Sequence, residues 1–533
     1  MKPNLYIPFS AAAGLLCATL SAQSNAESEL IISGDIIGSP VTAEVDGTPA
    51  GSMTYLLPSM SLAGSNYLIG LSGDPNDFLT VDIDLARDGK YFKQPADGTG
   101  HTTFALAIPN KPTLLDVPIY LQAFAATSGT TFESFSNYAK ISPNNANRWQ
   151  ALQDAPVASA NLSFTVSSFD AQGKPKTVFT CGGGPYLLTD DFTPYPTINQ
   201  AWSYDVAKEE FTLLGGTMSQ GRAFHNTVLL QDGRIMAIGG INGPWGTGPY
   251  HVKVLASAEI YDPATDTWTA ATPMAQFRAG CTANVLPDGR VLVAGGTKGN
   301  SSRLLYNVDD IMTTSLRTTE IYNPATDTWT TGPNMSAPKA GGVSVELDNG
   351  EIMIAGGITY STIFGIKIPD FSDDVQFYNP ATNSFRTRNM INKRALFGIA
   401  KMNNGKVLLS GGAGGDIFTI GPLVKQEVYN PASDSFSGAP PLTRAVAFST
   451  SIPLPDGKAA VLGGARGDLD NPIPVENVWV YDPVTNSSIE MTSMNYTRGG
   501  HVAVCTGGHN ITVFCGESDS GGAEATTESY SLQ

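Results

Sequence analysis

Six cations recur at nearly even intervals along the chain: Arg222, Arg278, Lys339, Arg394, Arg444 and Arg498. The 533-residue chain carries a formal net charge of −17, so a ring of cations around one opening would attract a carboxylate-bearing sugar or an acidic loop. Glu259, Glu320, Glu427 and Glu528 recur with them and offer partners inside the fold. The series therefore reads either as a ligand-binding ring or as repeated internal ion pairs. Repetition favours pairing, because a ligand rarely needs six equivalent contacts. Arg394 and Arg444 are the stronger ligand candidates, since their surroundings depart from the pattern.

Aromatic residues form a second set: Tyr186, Trp245, Tyr250, Tyr360, Phe364, Phe371 and Phe418 fall in the segments of most variable length. Exposed rings there can stack on sugars or anchor a protein partner, or pack their loops together. The histidines His101, His225, His251, His501 and His509 do not have the spacing of a metal-ligand set, and no metal or cofactor is expected. Asp468/Asp470 and Asp373/Asp374 lack the periodicity of a calcium loop.

A short stretch organises the elements that must position these residues. Ala258 to Trp268 reads A-E-I-Y-D-P-A-T-D-T-W, and Thr319 to Trp329 reads T-E-I-Y-N-P-A-T-D-T-W. Weaker copies centre on Tyr204, Tyr378, Tyr429, Tyr481 and Tyr530. Asp/Asn followed by Pro suits positions i and i+1 of a type I turn, and an aromatic seven residues past the Tyr packs the returning strand. Upstream of each Tyr, an apolar run ends in paired glycines, from Gly182-Gly183 to Gly463-Gly464; the last copy keeps only Gly516. Asp-Gly or Asn-Gly pairs precede most of these runs and suit type I′ hairpins. A period near 50 residues marks units that need neighbours to bury their apolar faces. Each unit reads as four strands, a to d, with Gly-Gly ending b and Tyr on c.

This pattern resembles the kelch repeat over roughly residues 145 to 533. The resemblance implies a β-propeller, here with seven blades. The chain ends at Gln533 before a last strand d, and 145–160, with Trp149 in the aromatic slot, is expected to complete the last blade. The predicted fold is thus all-β: a seven-bladed kelch-type β-propeller at 143–533, preceded by a small β-sandwich-like domain at 27–142. In that region, alternation predicts strands at Tyr67–Leu71, Phe78–Leu85, Thr103–Ile108 and Val117–Phe124. Some kelch-type propellers are copper-radical oxidases similar to galactose oxidase, whose Tyr-His ligand pair Tyr250-His251 resembles. Others epimerise sialic acid, but the acid/base residues of that group find no match.

Residues 1–26 have the charged start, short apolar core and small-residue end of a signal peptide. Export to the periplasm or outside the cell is therefore expected. Four cysteines then remain: Cys181, Cys281, Cys505 and Cys515. Cys181–Cys515 across the ring seam, Cys505–Cys515 across one hairpin, and free thiols all stay open. The acidic balance argues against nucleic acid, and no second apolar run suggests membrane insertion. The expected function is binding of an extracellular glycan or protein on the face of the b–c loops and d–a connections. A sugar epimerase or galactose-oxidase-like oxidoreductase at the channel mouth is the enzyme alternative.

Overall fold

The computed structural model describes residues 26–33, 40–59, 68–70, 78–80, 92–107, 119–128, 131–141, 148–170, 173–187, 195–244, 252–300, 304–305, 313–363, 366–415, 420–469, 471–506 and 510–531. The expected leader, up to residue 25, lies outside them.

Among the described residues from 149 onward there are, besides smaller two- and three-stranded sheets, seven four-stranded antiparallel sheets. The second, for example, runs Asn226–Leu229, Ile235–Ile238, Ala258–Asp262 and Thr267–Ala271. The other sheets keep the same order along the chain, with one exception. In the seventh, Trp149–Ala151 supplies the outermost strand and pairs with Thr527–Ser531, placing Trp149 opposite Tyr530. Their rings lie 5.1 Å apart, and the indole N–H donates to Thr492 O at 2.9 Å.

The repeated residues explain this geometry. The paired glycines take positive φ (62° and 94° at Gly239 and Gly240), and a Cβ on Gly239 would stand 2.4 Å from Arg278 O at the start of the next sheet. Only glycine permits that approach of one sheet's exit to the next sheet's entry. The motif Tyr packs on its return-strand aromatic, as Tyr322 does on Trp329 at 4.9 Å. Its hydroxyl donates to the residue five positions later, which also has positive φ: Asp266, Asp327, Asn383, Asp434 or Asn486. The Asp327 carboxylate also accepts the Thr272 N–H and hydroxyl of the preceding sheet, both at 2.9 Å. The same motif that turns the chain therefore fastens two sheets together.

The inner ends meet in a closed circuit. The N–H of Phe224 donates to Asn161 O, Gly280 to Phe224, Gly341 to Gly280, Leu396 to Gly341, Phe448 to Leu396, Gly500 to Phe448, and Asn161 to Gly500, at 2.8–3.3 Å. Each of these residues has φ between 50° and 61°. A one-way circuit satisfies one donor and one acceptor on each member, and it requires the last sheet to meet the first.

The described strands of the N-terminal region form one seven-stranded sheet and a separate two-stranded hairpin. Leu68–Gly70, Phe78–Thr80, Thr102–Ala107 and Ile119–Ser128 fall within or near the segments with strand periodicity. Ala26–Ser33, Pro40–Asp46, Met53–Ser59, Phe92–Pro95 and Thr131–Ile141 are not evident from alternation. Thr54 and Thr102 bring the curled sheet's two ends together through their hydroxyls at 2.8 Å. Its core, including Leu30, Val45, Phe104 and Leu121, packs against Ala207. The Lys140 N–H donates to Ala207 O at 2.7 Å, and its ammonium lies 3.5 Å from Glu209. This contact falls on the c–d turn of the first sheet, which reads D-V-A-K-E-E instead of carrying Asp/Asn-Pro.

Candidate functional site

Five of the six recurring cations lie inside the sheets rather than around an opening. Arg222, Arg278, Lys339, Arg394 and Arg498 are at most 2% exposed. Arg222 meets Glu259 at 2.6 Å, Arg278 meets Glu320 at 3.1 Å, Arg394 meets Glu427 at 2.6 Å and Arg498 meets Glu528 at 3.2 Å. Lys339 pairs instead with Asp374 at 2.7 Å, because Gln376 stands in the glutamate position of its sheet. Each guanidinium also donates to the first carbonyl of its own glycine turn, Gly239, Gly295, Gly411 or Cys515. Its backbone carbonyl accepts the second glycine N–H of the preceding sheet, as Arg222 O does from Gly183 and Arg278 O from Gly240. These residues staple neighbouring sheets and leave no charge free at the mouth. Burial pulls the Lys339, Arg394 and Arg498 cations below their ordinary pKa values, with the paired acids opposing the shift.

Arg444 corrects the series in another way. It is exposed, and Val446 occupies the equivalent seat, its carbonyl accepting the Gly412 N–H at 2.8 Å. Trp479 takes the glutamate's place, so an apolar pair replaces the ion pair. At the first sheet, Ser159 donates to Gly182 O at 2.8 Å, and Trp202 stands where the glutamate would be. A two-residue shift in the crossover hid Val446 from spacing arguments.

The aromatic set divides. Trp245, Tyr250, Phe364 and Phe418 lie outside the described residues, as does His251. Phe371 is buried, while Tyr360 is half-buried on the hairpin Ile358–Ile363/Ile366–Phe371. The Lys367 ammonium stands 3.9 Å from the Tyr360 ring centre and donates to Thr313 O at 2.5 Å. Lys393 pairs with Asp370 on the same hairpin at 2.7 Å. Tyr360 and Lys367 thus form one partly exposed aromatic–cation surface on the loop side.

Among the described residues, an apolar cluster sits at the mouth. Leu187 is fully buried in a cluster with Ala340, Ala395, Ala447, Phe448 and Leu469, which come from sheets across the ring. Two polar residues clamp its backbone. Glu517 Oε2 accepts the Leu187 N–H at 2.5 Å, and Asn161 Nδ2 donates to Tyr186 O and Leu187 O, both at 2.8 Å. Glu517 is 7% exposed, and burial raises its carboxyl pKa above the ordinary carboxylate value. Sequence reasoning missed these residues. The signal that could have found them is a break in the repeat: the position after the glycine pair is Gly184, Ile241, Thr297, Ile358, Ala413 or Ala465 in six copies and Glu517 in the seventh.

His225 and His501 occupy equivalent buried seats, where burial and then the neighbouring arginine hold each imidazole down to about 3. Cys181 Sγ contacts His225 Nε2 at 3.3 Å, but burial raises the thiol's pKa, so the pair is neutral packing rather than a thiolate–imidazolium couple. Among the described residues, Cys181, Cys281, Cys505 and Cys515 form no disulfide. Cys505 pairs with Ile511, which places it at the far end of the hairpin from Cys515. Among the described residues, no three His, Cys, Asp or Glu side chains are grouped to hold a metal ion. Asp470 lies outside the described residues, and Asp374 is taken by Lys339.

Similarity to known proteins tracks the repeat. Residues 222–275 and 278–336 match the Kelch motif family. Kelch-like protein terF of Aspergillus terreus is 28% identical over 200 residues, covering 36% of this chain and 40% of that protein. F-box/kelch-repeat protein SKIP30 of Arabidopsis thaliana is 27% identical over 160 residues, covering 30% and 42%. The chain thus spans about two fifths of the length of these curated relatives. A solved fungal alcohol oxidase of the AA5 family, in complex with copper, superposes with a TM-score of 0.51 at 15% identity, over 73% of this chain and 77% of that one. YjhT gives a TM-score of 0.46 at 15% identity, over 64% and 99%. At this identity the oxidase likeness is one of fold alone.

Proposed function

We propose that this kelch-repeat β-propeller protein is an exported, seven-bladed binding protein that recognises an extracellular protein on the face of its b–c loops. The observation that carries the reading is how the polar repeat residues are used. The buried arginines and their glutamates fasten blade to blade, and Leu187 lies in the apolar cluster at the mouth between them. What remains open to recognition is the loop rim, where Tyr360 and Lys367 stand on a hairpin. The described N-terminal residues make their contact on the opposite turns, at Ala207 and Glu209. An acidic-glycan ligand loses its main support, because the cations meant to hold it are buried.

The test immobilises the full chain and titrates it with extracellular protein fractions, with a glycan array run in parallel. A protein bound by the wild type, weakened about tenfold by Tyr360→Ala/Lys367→Ala and unaffected by the opposite-face variant Arg234→Ala, supports the reading. Binding that distinguishes neither variant refutes the rim. A response confined to arrayed glycans replaces the partner class.

A further inference from the structure

Three departures from the repeat converge on one residue. The seat after the glycine pair is small or apolar in six copies, and only the seventh places a carboxylate there, Glu517. The positive-φ station of the inner circuit is glycine or apolar at six members and amide-bearing only at Asn161. The crossover into the last sheet carries Gly499-Gly500, where the equivalent first residue is alanine in the other six. A Cβ on either glycine would stand 2.5 Å from a Leu187 methyl carbon, so their absent side chains form the hollow that holds the isobutyl group. Glu517 takes the N–H of that leucine, Asn161 takes its carbonyl, and the glycines take its side chain.

No cation among the described residues pairs with Glu517. Burying a carboxylate against a peptide N–H, with no cation to balance it, is costly. Packing alone does not require it, since six equivalent seats do without one. A carboxylate facing an N–H, an amide facing a carbonyl and a hollow for a branched side chain form a complete set of contacts for one leucyl residue. We propose that this hollow at the channel mouth is a recognition site for a leucine-bearing peptide segment, occupied in cis by Leu187. The proposal rests on the loop face being the recognition face and names the chemistry its partner presents. A partner leucine engages the site by replacing Leu187, with the same donor, acceptor and isobutyl contacts exchanged one for one, so the cis residue keeps the apolar mouth covered until a partner arrives.

The probe is N-acetyl-leucinamide, with N-acetyl-glycinamide as the control, added to the full chain. In Leu187→Gly, which removes the isobutyl group and so weakens the cis occupant that leucinamide must replace, leucinamide is expected to raise the unfolding temperature in a saturable way and glycinamide to leave it unchanged. The response should weaken about tenfold when Glu517→Gln is added, and in the wild type it should be at least tenfold weaker than in Leu187→Gly. Equal responses to the two amides, or none in the folded variant, overturn the proposal. Should Leu187→Gly not fold, hydrogen exchange at the Leu187 amide of the wild type decides. Acceleration by leucinamide and not by glycinamide supports displacement, and no acceleration refutes it. Loss of the leucinamide effect while the rim variants still weaken partner binding would remove this site and leave the rim standing; the reverse result would remove the rim alone.

Discussion

Replacing His501 with phenylalanine tests how the buried repeat seats are chosen. His501 is 5% exposed, and neither ring nitrogen has a hydrogen-bond partner. The same seat holds His225 in one sheet and Phe397 in another. Each of the three rings presents Cε1 to a first glycine of a turn, at 2.6 to 2.9 Å from the Cβ that Gly182, Gly356 or Gly463 would carry. Phenylalanine therefore fits a space the fold already builds for it. With burial and Arg498 holding the folded imidazole down to about 3, the folded state refuses a proton that the unfolded chain accepts near 6.5. The stability tied to the neutral ring is fully present above pH 6.5 and is lost as pH falls towards 3. At pH 5 the loss is about 2 kcal/mol. His501→Phe removes this slope and two orphaned nitrogens together. Urea unfolding at pH 8, 7, 6 and 5 should show the variant at least as stable as the wild type at pH 8, with its advantage growing by about 2 kcal/mol by pH 5. An advantage that does not change with pH would refute the buried neutral histidine. A variant more than about 1 kcal/mol less stable at pH 8 would refute the equivalence of the seats.

Arg394→Ala should cost about 3–5 kcal/mol in urea unfolding, because it strands Glu427 without its cation. The paired change Arg394→Val/Glu427→Trp should recover most of that loss, since Val446 and Trp479 already fill the same two seats in the sixth sheet. Trp149→Ala should cost about 3–5 kcal/mol by removing the Tyr530 contact and the indole hydrogen bond to Thr492, and hydrogen exchange should rise first along Thr527–Ser531. Asp327→Ala should cost about 1–2 kcal/mol, through lost bonds to Tyr322 and Thr272 and a strained positive φ, with Asp327→Asn milder. The Thr272 N–H and the Tyr322 hydroxyl hold the Asp327 carboxyl below its ordinary value, so this support is present above about pH 4 and fades as pH falls through the lowered value.

The sequence alone determined the repeat and, through it, most of the propeller's strand order. Alternation, paired glycines and the Tyr–Asp/Asn–Pro turn are local requirements of strand, close approach and turn, so they are readable wherever they recur. Trp149 in the aromatic slot was legible for the same reason, and the structure pairs it with Tyr530. The N-terminal strands were legible only in part, because their burial depends on a curled sheet that local alternation does not encode. The fate of the cations needed tertiary structure. Whether an arginine faces a channel or turns into its own sheet depends on which carboxylate the neighbouring strand presents, and Glu427 lies 33 positions from Arg394. The two-residue shift that puts Val446 in the seat of Arg444 is likewise set by the crossover's path rather than by spacing. The mouth was least legible of all. Asn161 and Leu187 belong to the first copy and Gly499 and Glu517 to the seventh, and only closing the ring, with the last sheet hydrogen-bonded to the first, brings the two pairs within reach of one another.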